Sequence, residues 1–84
     1  MVKHEFVVGD QEKHTITVYH SYLTGGVEIQ VDGTRIADAL QWVSTKEWEF
    51  DIGVVERHRL RLKVHGLLFS HVDATLDGAV VYQQ

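Results

Sequence analysis

Apolar and polar residues alternate with a period of two along most of the chain. The pattern is clearest where Trp48, Phe50 and Ile52 interleave with Glu47, Glu49 and Asp51, and where Leu60, Leu62 and Val64 interleave with Arg59, Arg61 and Lys63. Successive side chains of a strand point to opposite faces, so each stretch predicts a β-strand with one dry and one wet face. The run from His14 to His20 alternates likewise and is rich in β-branched and aromatic residues, which fit a pleated surface. Asp32-Gly33 and Asp77-Gly78 each close such a run, and they predict type I′ hairpin turns, where both central residues need positive φ. Only 37–43 would hold a helical turn, too short for a helix that matters. The segment 37–43 is read as a crossing loop that runs into the next strand.

The chain also matches itself. Residues 5–14 align with 49–58 at a constant offset of 44, with Glu, Phe, Gly, Glu and His identical. The register continues through Ile16/Leu60 and Val18/Leu62, and after one inserted residue Val31-Asp32-Gly33 matches Leu76-Asp77-Gly78. Duplication of a four-strand unit, or convergence of similar hairpins, leads to the same expectation: seven or eight antiparallel strands in a compact two-layer sandwich or a small barrel. Charge tests the layout. A hairpin through Gly53, Val54, Val55 and Glu56 sets Asp51 opposite Arg59, Glu49 opposite Arg61 and Glu47 opposite Lys63, while Phe50 meets Leu60 on the other face. A one-residue slip would carry those charges into the core. Trp48, Phe50, Leu60 and Leu62 are the predicted core, with Phe6 and Phe69 on apolar stripes too; Tyr22 and Trp42 lie in segments without clean alternation.

Composition narrows the function. Eighty-four residues make one domain, 1–84, with a single core. The absence of cysteine excludes a disulfide framework, a thiolate metal site and a cysteine nucleophile, and sets a reducing cytoplasm as the expected location. Eight Lys+Arg against twelve Asp+Glu, a net charge of −4, is a poor start for binding a phosphate backbone, so nucleic acid is not an expected partner. No apolar run approaches the roughly 20 residues of a membrane helix, and the N-terminus has no signal-peptide core, so no membrane is expected.

Candidate chemistry is sparse. Of the six histidines, His14 and His20 share a strand face but lie about 20 Å apart, too far for one zinc ion. His14 and His58, equivalent under the repeat, leave a cross-strand metal site as the alternative to simple strand-end histidines; the expectation is no metal and no cofactor. Ser21, Ser44 and Ser70 stand in no nucleophile-elbow context, and no glycine-rich phosphate loop precedes a helix. Asp32 and Asp77 are accounted for by their turns, with paired catalytic carboxylates the weaker reading. No catalytic residue is assigned.

The run His14-x-Ile16-x-Val18-x-His20, then Gly25-Gly26, Val27-x-Ile29-x-Val31-Asp32-Gly33-x-x-Ile36 and Lys46-Glu47-Trp48-x-Phe50-x-x-Gly53, resembles the N-terminal domain of the Fas apoptotic inhibitory molecule family in order and spacing. The closing Thr75-Leu76-Asp77-Gly78 with Val80, Val81 and Tyr82 is similar to that domain's last hairpin. The resemblance implies a compact antiparallel β-sandwich without a known catalytic centre, in a soluble cytosolic family associated with suppressing death-receptor apoptosis and stress-induced protein aggregation. It transfers no functional residue, because the matching motifs are strand and turn residues. The expected function is therefore a non-enzymatic protein-interaction module, with a small-ligand-binding sandwich as the alternative. The expected contact comes from edge-strand physics. The chain has no proline, and its last strand carries no charge to guard an exposed edge, so Val80, Val81 and Tyr82 are the candidate contact for a protein partner or a second copy of the chain.

Overall fold

The computed structural model describes residues 2–21, 26–40, 46–65 and 71–84. Each alternating run forms a strand: β1 Val2–Val8, β2 His14–His20, β3 Gly26–Val31, β4 Thr34–Leu40, β5 Lys46–Ile52, β6 His58–His65, β7 His71–Leu76 and β8 Ala79–Gln83. They build two antiparallel sheets in chain order, β1-β2-β3-β4 and β5-β6-β7-β8. The first half of the sequence is one layer and the second half the other, as expected for an eight-strand sandwich. The inward-facing positions Phe6, Val8, Ile16, Val18, Val27 and Ile29 of one sheet and Ile52, Leu60, Leu62, Val64, Val72 and Ala74 of the other form the buried core.

The hairpin register follows the charges. Asp51 pairs with Arg59, Glu49 with Arg61, Glu47 with Lys63, and Phe50 with Leu60. The ion pairs themselves run partly on the diagonal, because long side chains reach the next residue along the strand. Arg59 binds both Glu49 and Asp51, and Arg61 reaches Glu47 at 3.5 Å and Glu49 at 3.3 Å. The Asp-Gly turns are as the motif requires, with φ of 52° at Asp32 and 82° at Gly33, and 51° at Asp77 and 87° at Gly78.

Two expectations need correction. Residues 37–40 continue β4 instead of crossing as a loop, pairing with the first four residues of β3 from Ile29↔Ala37 to Gly26↔Leu40, and 41–43 lie outside the described residues. Alanine and aspartate are poor strand formers by propensity, and an open neighbouring strand overrides that preference. Trp48 and Phe50 are only half buried, packed against the core from its margin, whereas Leu60 and Leu62 are wholly buried. Both aromatics lie on β5, an edge strand. Phe6, the repeat counterpart of Phe50, is better covered because Tyr82 of β8 stacks on it at 4.5 Å and 17°. The counterpart of Tyr82, at the offset of 45, is Ala37, which offers no such cover. Tyr22, Trp42, Ser44, Phe69 and Ser70 lie outside the described residues.

Candidate functional site

The repeat is reproduced to the level of single bonds. Gly9 and Gly53 begin equivalent turns at φ of 100° and 95°. These turns lie together at one end of the sandwich, each closed by a glutamate from the other half. The Glu12 carboxylate accepts hydrogen bonds from the backbone N–H groups of Val54 (2.8 Å), Val55 (2.7 Å) and Glu56 (3.1 Å). Glu56 returns the contact, accepting from the N–H groups of Asp10 (2.8 Å), Gln11 (2.7 Å) and Glu12 (3.3 Å). A turn with successive N–H groups pointing one way is an anion-binding concavity, and here each concavity is filled by the chain's own carboxylate.

Each glutamate also holds a histidine. His14 donates from Nε2 to Glu12 at 2.5 Å and from Nδ1 to Asp32 at 2.6 Å. His58 repeats this with Glu56 through Nε2 and with Asp77 through Nδ1 at 2.5 Å. The second oxygen of each aspartate accepts a strand N–H, Thr15 for Asp32 and Arg59 for Asp77, both at 2.8 Å. Two Glu-His-Asp chains thus tie each Asp-Gly turn, through a histidine, to the turn of the opposite half.

The charges settle accordingly. The N–H groups of Val55, Val54 and Glu56 together with His14 pull the Glu12 carboxyl down to about 2, and His58 with the N–H groups of Asp10, Gln11 and Glu12 pulls Glu56 down to about 2. Asp32 and then Glu12 raise the His14 imidazole above its ordinary value, and Asp77 and then Glu56 do the same for His58. Both ring nitrogens of each histidine are thus engaged by carboxylates of its own half. His14 and His58, equivalent under the repeat, are matched holders of a clasp, each bonded to a glutamate and an aspartate of its own half. Asp32 and Asp77 each bond to the histidine and to a strand N–H of their own half. Among the described residues no group of three or more His, Asp or Glu side chains is placed to hold a metal ion, and no helix is long and apolar enough to cross a membrane.

At the opposite end, His4 donates or accepts through Nδ1 with the Tyr82 hydroxyl at 2.9 Å, and the two rings meet edge to face. Burial holds the His4 and His20 imidazoles below their ordinary value. His65 and His71, paired across β6 and β7, share the carboxylate of Asp73 at 2.9 and 3.0 Å.

The candidate contact residues divide. β8 is the outer strand of its sheet, with Val80 65% and Val81 38% exposed. Tyr82 points inward, half buried between His4 and Phe6, and is engaged in packing. One further feature was not visible in the sequence. The pairing shifts between Ala74↔Tyr82 and Thr75↔Val80, which leaves Val81 as a bulged residue, and the same shift between Ile29↔Ala37 and Gln30↔Arg35 leaves Ile36 bulged on β4. Equivalent positions of the repeat therefore carry equivalent bulges, each with an exposed aliphatic side chain.

A scan against protein-family models, a search of curated proteins and a search of solved structures each returned no match.

Proposed function

We propose that the protein is a non-enzymatic interaction module that engages a protein partner, or a second copy of itself, along the edge strand β8. The observation that carries this reading is a contrast between two equivalent edges. β4 and β8 are each the outermost strand of a sheet and each bears a bulge. On β4 the bulge is flanked by charge, since Arg35 lies within ion-pair distance of Glu28 and Asp38. Nothing comparable guards β8, because residues 79–84 contain no charged side chain. An unguarded edge offers backbone N–H and C=O groups to another strand with little demand on its sequence. The bulge at Val81 limits the consequence. It twists the edge and breaks the ladder, so β8 can take up a short strand without templating an extended sheet. Such an edge suits the capping of exposed strands on an unfolding client, in keeping with the stress-protective role that the resemblance to the Fas apoptotic inhibitory molecule family implies for a cytoplasmic protein. The alternative of a ligand between the sheets competes for space that Ile16, Val18, Ile29, Leu60, Leu62 and Val64 already fill.

Val81→Lys tests the reading, with Val81→Pro as a second variant. A half-exposed surface position should lose no more than about 0.5 kcal/mol of stability. Self-association by light scattering and suppression of client aggregation should both fall while the melting temperature holds. A lowered melting temperature with unchanged association would mark β8 as an ordinary part of the sandwich.

A further inference from the structure

The contact between the two sheets has the form of a dimer interface. In an isologous interface a patch meets its own copy, so that residue i touches j and j touches i. Glu12 binds the turn of the second half, and Glu56 binds the matching turn of the first. Every strand pairing among the described residues lies within one half, in the orders β1-β2-β3-β4 and β5-β6-β7-β8. The halves are joined to one another by the apolar faces, by the clasp, by His4 and Phe6 against Tyr82, and covalently by the single chain passage through residues 41–45. Neither half can stand bare in water, because separation would expose Ile16, Val18 and Ile29 on one side and Leu60, Leu62 and Val64 on the other. Each must find a complementary half, and nothing in these contacts distinguishes the half on its own chain from the half on a neighbour.

We propose that this surface is also a recognition surface between chains, and that two copies exchange halves to form a dimer in which the first half of one chain closes on the second half of its partner. Among the described residues the exchange breaks no strand pairing, and it rebuilds every contact of the clasp. Tethering sets the balance. A short linker gives the intramolecular partner an effective concentration on the order of millimolar, so dilute protein closes on itself, and exchange grows when chains fold at high local concentration. This mode is independent of the β8 edge: it uses the inner faces of the sheets, whereas edge pairing uses the outer margin of one.

Complementation between two full-length chains tests it. One chain carries Leu60→Asp with Leu62→Asp, which ruins its second half; the other carries Ile16→Asp with Val18→Asp, which ruins its first. Alone, each should lose the β signal in circular dichroism. Refolded together, they should regain that signal and a cooperative melt as a one-to-one complex. Adding Glu12→Gln to the chain that supplies the intact first half should lower that melt, and adding it to the other chain should leave the melt unchanged. A mixture that stays unfolded, or one that recovers only while Val81 is intact, overturns the proposal. For the unmutated protein, two isotope-labelled populations refolded together at high concentration should give an inter-chain nuclear Overhauser effect between the Phe6 and Tyr82 rings in the dimer fraction. A dimer without that contact, or the absence of any dimer, overturns it equally.

Discussion

A neutral imidazole carries one N–H, so the two carboxylate contacts made by His14 and by His58 both persist only while each ring is protonated. The pH dependence follows from the sign of each displacement. Glu12 and Glu56 sit at about 2 when folded against an ordinary 4.5, so their contribution is present above pH 4.5 and is lost as pH falls toward 2. His14 and His58 are raised above 6.5, so theirs is complete below pH 6.5 and is lost as pH rises through the raised values. The clasp is therefore fully engaged between 4.5 and 6.5. The buried His4 and His20 act in the opposite sense, since they are held low and oppose protonation as pH falls below 6.5. Thermal melts across pH should show Glu12→Gln with Glu56→Gln flattening the acid limb, and His14→Gln flattening the alkaline limb; unchanged limbs would show that the clasp does not form in solution. The turn glycines separate conformational strain from crowding. A Cβ on Gly9 would lie 2.1 Å from the Glu12 carbonyl oxygen, whereas one on Gly33 meets nothing within 4 Å, and both residues have positive φ. Gly33→Ala should cost about 1 kcal/mol from the backbone alone, and Gly9→Ala at least twice that, measured by urea unfolding. The repeat made Glu12, His14, Glu56 and His58 visible as matched residues. Their bonding was not, because a side chain that binds the amides of a turn more than forty residues away leaves no local pattern.

At the scale of elements, strand existence and register were readable because oppositely charged residues on β5 and β6 fall in register only one way round. Depth of burial was less readable, since period-two alternation marks which face is dry but not how close a strand lies to the sheet margin. Phe6 and Phe50 show the difference. They hold equivalent places, yet Phe6 is 8% exposed beneath Tyr82 whereas Phe50 is only half buried. Phe6→Ala should cost about 3–5 kcal/mol, and Phe50→Ala clearly less. Chemical denaturation of the two variants checks the order, and equal losses would mean that Tyr82 adds nothing to the burial of Phe6. The bulges at Ile36 and Val81 had no sequence signal, because an extra residue in an edge strand leaves the apolar pattern nearly intact.

At the scale of the whole molecule, strand pairing within halves and core formation between them impose one cooperative unit. Neither sheet retains a buried face without the other, so unfolding should be a single transition, coincident by tryptophan fluorescence and far-ultraviolet circular dichroism. Amides of β2 and β6, central strands of the two sheets, should exchange with solvent at matched rates under native conditions. Protection lost from β2 well before β6 would reveal a second half that stands alone. Association through β8 should leave this cooperativity intact, since it adds to an edge and takes nothing from the core.

The clasp reads main-chain amides, not side chains, and this divides the freedom of the two turns unevenly. Asp10 and Gln11 in one turn and Val54 and Val55 in the other present the same N–H groups to a glutamate, and their side chains point away: Val54 is 80% and Val55 92% exposed. Those four positions can drift separately in each half without loosening the joint. Glu12 and Glu56 cannot, because a change in either is felt in the turn of the other half. The halves are thus bound to a shared fate at two residues and free to acquire different surfaces beside them, so a duplicated unit could become two-faced, polar at one turn and oily at the other, while its seam stayed symmetric.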